Sequence, residues 1–178
     1  MQAQELIPDL LTYNTLLNGL CINKQIAEAF SFLHIMEEKG VNPDIITYGI
    51  LIDGLCKDGK LEIARNLFNG LCSKGLQPDV HIYTTIIGSL CEEGLTEEAK
   101  CLLKEMETSG CAPNSVAYEA IIKGYLKGTS FMRQRHSWMK CVDEDFASSM
   151  IEAIHSGLSS HSAFNVDELV TTTHLITP

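Results

Sequence analysis

The sequence predicts an all-α protein, a solenoid of stacked helix-turn-helix hairpins, and two observations predict it. The first is a period. Pro8, Pro43, Pro78 and Pro113 follow one another at steps of 35 residues, and each is followed by an aspartate or asparagine: Asp9, Asp44, Asp79 and Asn114. The second is the spacing inside the period. Tyr48, Leu51, Ile52, Leu55 and Cys56 fall at i, i+3, i+4, i+7 and i+8, the buried stripe of an amphipathic helix. The same stripe returns as Tyr13, Leu16, Leu17, Leu20 and Cys21, as Tyr83, Ile86, Ile87, Leu90 and Cys91, and as Tyr118, Ile121, Ile122, Tyr125 and Leu126. One hairpin of this size cannot bury both of its apolar stripes, so neighbours must stack.

Each unit follows the same grammar. The first helix ends at a polar or glycine break, "KDGK" or "EEG", and a second apolar stripe follows, as in Ala99, Leu102, Leu103 and Met106. Ala29, Ala64 and Ala99 share one repeat position, where a small side chain lets two helices approach closely. Gly40, Gly75 and Gly110 stand where a helix C-terminus calls for a left-handed residue. Pro43 then stops the second helix, and Asp44 caps the next one by accepting from its first free amides. Residues 10–44, 45–79 and 80–114 are whole repeats on this reading, and residues 1–9 are the tail end of a truncated one. Residues 115–149 form a degenerate repeat: "KGTSFMRQRHSWMKC" loses one residue and puts Arg133 where the small alanine belongs. Within 143–156, Phe146, Met150, Ile151 and Ile154 fit a short amphipathic helix, and 150–178 otherwise form a tail, partly disordered, whose last stretch has no helical period.

Composition narrows the function. The chain has 178 residues, 45% hydrophobic and 20% charged, which is globular and soluble in character, with no apolar run long enough to span a membrane. The N-terminus "MQAQELIPDL" carries neither a signal peptide nor a visible transit peptide. The seven cysteines include no C-x-x-C pair, and Cys21, Cys56 and Cys91 recur at the repeat spacing. They read as buried thiols at one helical position of a protein in a reducing compartment, not as metal ligands. No H-E-x-x-H, H-x-E or glycine-rich phosphate loop occurs, so the reading is of a non-enzyme without metal or cofactor. The net charge of −10 argues against a nucleic-acid partner, most sharply in residues 80–114, where two lysines face six glutamates. Residues 45–79 are balanced, with four basic and four acidic residues.

A 35-residue hairpin with "PD" ahead of "TYNTLLNGLC" or "TYGILIDGLCKDGKLEIA" resembles the pentatricopeptide repeat of plant organelle RNA-binding proteins. The match runs over residues 1–128 and is most similar to the pure, fertility-restorer-like class. The resemblance implies a right-handed α-solenoid that binds single-stranded RNA, one base to each repeat. It implies base readout by Asn14 with Asp44, Gly49 with Asp79, and Thr84 with Asn114, and stacking by Leu11, Ile46, His81 and Val116. Asn with Asp implies uracil and Thr with Asn adenine, whereas Gly49 supplies no side-chain donor. Glu119 would pair with Ser149, but the slipped register leaves that repeat without an assigned base. Lys57 and Lys127 share a position that meets phosphate in the family, occupied here also by Ile22 and Glu92.

Two readings from the residues themselves compete with this one. Asp44, Asp79 and Asn114 are explained in part by capping alone, and Leu11, Ile46, His81 and Val116 by ordinary packing at a helix start. Asn14 and Thr84 resist that explanation, because both are poor helix formers lying within a helix. The expected setting is RNA processing, stability or translation in the mitochondrion, with the chloroplast as alternative. The competing function is a helical protein-interaction scaffold, or a degenerate fragment that no longer binds RNA.

Overall fold

A proline, a capping side chain and a helical stripe begin every repeat, and the chain folds accordingly. The computed structural model describes residues 8–127. Among them lie α1 (Leu10–Ile22), α2 (Ile26–Glu38), α3 (Ile45–Lys57), α4 (Leu61–Gly70), α5 (Val80–Glu92), α6 (Thr96–Thr108) and α7 (Ser115–Lys127), with a 3-10 turn at Cys72–Lys74 and no strand. The expected helix within 143–156 and the slipped register at Arg133 lie outside the described residues, as does Ser149.

Local chemistry sets the helix limits. Asp9, Asp44 and Asp79 accept from the backbone amides of Thr12, Thr47 and Ile82 at 2.8–2.9 Å, and Asn114 accepts from that of Ala117 at 3.0 Å. The expected caps are thus all present. Every helix from α1 to α6 is closed by the same pair of backbone bonds, or its last turn is, as in Gln25 N–H to the Leu20 carbonyl (2.9 Å) with Lys24 N–H to that of Cys21 (3.0 Å). This closure requires a left-handed residue. Gly40, Gly75 and Gly110 supply it between hairpins, with φ of 74–81°, and Gly59 and Gly94 supply it within two of them. Lys24 takes the same conformation, φ 58°, without being glycine. The second helix of the middle repeat stops early, at Gly70, although the same Asn-Gly pair at Asn18 and Gly19 does not interrupt α1. The 3-10 turn carries the chain on to Gly75.

The helices stack in two layers. α1 packs on α3, α3 on α5 and α5 on α7, while each even-numbered helix leans on the odd-numbered helices before and after it. Even-numbered helices have little contact with one another, so the stack bends toward the odd-numbered layer, which lines the inner face. Leu51, Ile52, Leu55, Ile86, Ile87 and Ile121 belong to one continuous core and are fully buried. Ala29, Ala64 and Ala99 are fully buried as well, as a small residue packed between helices would be.

Two expectations about the stripe need correction. Leu16 is 53% exposed, although Leu51, Ile86 and Ile121 at the same repeat position are at most 1% exposed. Each of those three stands on an odd-numbered helix that packs on the odd-numbered helix before it, and among the described residues no helix stands before α1. Cys56 is half-buried, unlike Cys21 and Cys91. Cys21 faces Gly54 and Cys91 faces Gly124, whereas Cys56 faces the side chain of Ser89, where the other two repeats have a glycine. Cys72 and Cys101, on the even-numbered side of the repeats, are exposed thiols.

Candidate nucleic-acid interface

Because the odd-numbered helices start side by side, their second residues form a row. Leu11 is 73% exposed, Ile46 59% and Val116 54%, and His81 is exposed with them. Helix-start packing therefore does not account for these residues. Three apolar side chains and an imidazole are thus left bare, one to each repeat, on the odd-numbered side.

The candidate readout residues flank this row. Asn14 is 7% exposed, and its Oδ1 accepts from the Thr47 hydroxyl at 2.8 Å while Nδ2 lies 3.5 Å from Asp44 Oδ1. The structure thus brings Asn14 and Asp44 together, although they are 30 residues apart in sequence. Burial pushes the Asp44 carboxyl up, but hydrogen bonds from the Thr47 amide, the Thr47 hydroxyl and Asn14 together outweigh it and leave Asp44 below its ordinary value. Thr47 also accepts from the Asp44 amide at 3.2 Å, completing a capping box. Thr47 is a participant that the sequence reading missed. The signal was the "PDIIT" stretch, a threonine three residues after the cap and 33 after Asn14.

The other two pairs are arranged differently. Gly49 leaves a gap whose nearest neighbour is Ile82: a methyl group built on Gly49 would lie 3.5 Å from Ile82 Cγ1. Asp79 spends its carboxylate on its own cap and is otherwise exposed. Thr84 turns its hydroxyl back to the Val80 carbonyl at 2.7 Å, so a residue poorly suited to a helix is satisfied locally. Asn114 caps α7 and is exposed.

Two lysines of the odd-numbered helices are paired with carboxylates one turn away. Lys57, with its side chain 70% exposed, bonds Asp53 one turn back at 2.7 Å, and Lys123 likewise pairs with Glu119 at 2.5 Å. Lys127 lies at the end of α7, its side chain outside the described residues. Glu92 and Ile22 hold the equivalent places in the other repeats and are exposed. Among the described residues no group of three His, Cys, Asp or Glu is placed to hold a metal ion, and no helix is long and apolar enough to cross a membrane.

Sequence comparison meets this geometry. The PPR repeat family profile matches residues 8–57 and 78–127, and a single PPR repeat profile matches 46–76. The chain belongs to the pentatricopeptide repeat family. Its fold is similar to that of the pentatricopeptide repeat protein PPR10 from maize, with 31% identity and a TM-score of 0.64 over 83% of this chain and 22% of that one. The same maize protein in complex with an 18-nt psaJ RNA element aligns at 28% identity and TM-score 0.63, over 85% and 23% of the two chains. The PPR domain of the protein-only RNase P 1 of Arabidopsis thaliana, solved in complex with tRNA, shares the fold at TM-score 0.65 and 14% identity, over 94% and 81%. This pentatricopeptide repeat chain spans about a fifth of the length of the maize protein. Among the curated proteins, none matches it.

Proposed function

We propose that this pentatricopeptide repeat chain binds single-stranded RNA along its inner face, one base to each repeat. The observation that carries the reading is the row Leu11, Ile46, His81 and Val116, exposed at the 35-residue period beside the Asn14–Asp44 pair. Bases slide between successive members of such a row, and side chains at the next helix start meet their edges. Asn14 with Asp44 reads uracil and Thr84 with Asn114 reads adenine. Gly49 with Asp79 discriminates poorly, since only the carboxylate is present. The chain acts in RNA processing, stability or translation in a plant organelle, the mitochondrion ahead of the chloroplast. The RNA complex of the maize protein supports the mode of binding, and the fertility-restorer-like class is kept as part of the proposal.

Binding by these repeats alone is weak. Stacking contributes roughly 1–3 kcal/mol per base, and association costs several kcal/mol, so three bases fall short of the roughly −8 kcal/mol of a micromolar complex. NMR titration of the isotope-labelled chain with short oligoribonucleotides is suited to this range. Shifts confined to the odd-numbered helix starts, with RNA preferred over DNA-free buffer controls of equal charge such as polyphosphate, support the proposal. Doubly substituting Asn14→Thr and Asp44→Asn copies the Thr84 and Asn114 pair and moves preference at that base from uracil toward adenine. Equal response to uracil and adenine before and after the exchange refutes base readout. No response to any RNA moves the protein-interaction scaffold ahead.

A further inference from the structure

We infer that Thr47 is a positioning residue for base choice in the first repeat: its buried hydroxyl turns the Asn14 amide so that Nδ2 lies beside Asp44 on the inner face. The inference rests on the RNA-binding reading above.

Odd-numbered helices meet in one register. Asn14 touches Thr47, Gly49 faces Ile82, Cys21 faces Gly54 and Cys91 faces Gly124, each pair 33 residues apart. The third residue of each odd-numbered helix therefore stands behind the readout residue of the repeat before it. Capping accounts for a threonine there, as Thr12 on Asp9 shows, but not for a second, fully buried bond into the preceding repeat.

The Thr47 hydroxyl has one proton and two acceptors at 2.8 Å, Asn14 Oδ1 and Asp44 Oδ1. Reversing the Asn14 amide would put its carbonyl oxygen 3.5 Å from the Asp44 carboxylate oxygen, lone pair against charge. Donation to Asn14 Oδ1 avoids this and leaves the amide nitrogen against the carboxylate. The face then carries an N–H donor next to a carboxylate acceptor. Uracil, with a carbonyl oxygen beside a ring N–H, satisfies both. A reversed amide would present two acceptors, which suit the exocyclic amino group of cytosine or adenine. Ile82 and Ala117 hold the Thr47 position in the next two repeats, and neither has a donor. Only the first described repeat carries the three-residue unit.

The test titrates the full chain with oligoribonucleotides differing in one uracil-to-cytosine change. Thr47→Val keeps the shape of the buried side chain and removes the hydroxyl; Thr47→Ser keeps the hydroxyl. Thr47→Val should lower uracil-over-cytosine discrimination about 3- to 10-fold, the worth of one hydrogen bond, while Thr47→Ser retains it. Gly49→Asn with Ile82→Thr should confer uracil preference on the second repeat, and Gly49→Asn alone should not. This second design holds even where Thr47→Val unfolds the chain. Discrimination unchanged in Thr47→Val, equal loss in Thr47→Ser, or equal gain from Gly49→Asn alone overturns the role of Thr47 and leaves RNA binding standing. A wild-type chain that shifts with no RNA overturns both.

Discussion

Cys21 stands hard against Gly54 where α1 packs on α3: a methyl group built on Gly54 would lie 2.7 Å from Cys21 Cβ and 2.8 Å from its sulfur. The same relation recurs between Cys91 and Gly124, at 2.6 and 2.9 Å. Cys21 and Cys91 are thus small knobs, each received by a glycine of the next repeat, and in these two pairs the positions depend on each other. Gly54→Ala should destabilise the chain by about 1–3 kcal/mol, because the backbones must separate. Gly19→Ala, at the same repeat position with nothing within 4 Å, should stabilise by up to about 1 kcal/mol through helix propensity. Urea denaturation of the two variants checks the opposite signs; equal effects would dismiss the contact.

Lys24 offers a simpler gain. Its φ of 58° is the left-handed conformation that Gly59 and Gly94 adopt at the equivalent turns. Lys24→Gly should raise stability by about 1 kcal/mol, the cost of a side chain in that region less the added freedom of the unfolded glycine. A lower denaturation midpoint in the variant would show that the lysine side chain contributes elsewhere.

The thiols should separate by reactivity. Cys72 and Cys101 are exposed and should alkylate in the native protein, whereas Cys21 and Cys91 should react only on unfolding. Burial, with a smaller contribution from Glu92, pushes the Cys91 thiol from 9.0 up to about 11. Its folded pKa is raised, so this contribution to stability is complete below pH 9.0 and is lost as pH rises through about 11. The loss is of order 2–3 kcal/mol over that window. Burial raises the Tyr83 phenol in the same direction, so the diagnostic quantity is the difference from Cys91→Ala. That variant should show a flatter decline in midpoint above pH 9.0; an identical slope would place the titration elsewhere.

Asp53 holds Lys57 at 2.7 Å, so on the proposed phosphate role of Lys57 the two anions would compete for it. Asp53→Asn should strengthen RNA binding about 2- to 5-fold at low salt, with the gain shrinking as salt screens it. Fluorescence anisotropy of a labelled oligoribonucleotide at two salt concentrations reads this directly. An unchanged affinity would remove Lys57 from the phosphate path.

The sequence by itself determined the period, the helix starts and the turns, because these are local. A cap acts on amides two or three residues away, a left-handed glycine closes the turn it sits in, and a stripe at i, i+3, i+4 follows from 3.6 residues per turn. Tyr13, Tyr48, Tyr83 and Tyr118 are all buried as that stripe requires. Only the tertiary structure decided how stripes on successive helices meet. A repeat of 35 residues packs with contacts at 33, because the stacked helices are offset along their axes, and no single hairpin contains that offset. The offset brings Thr47 to Asn14, Ile82 to Gly49 and Gly54 to Cys21. Stacking also decides burial: Leu16 is bare where no described helix precedes α1 while its counterparts are buried, and Leu11, Ile46 and Val116 stay open to solvent, since burial belongs to a pair of surfaces and a sequence pattern describes one surface at a time.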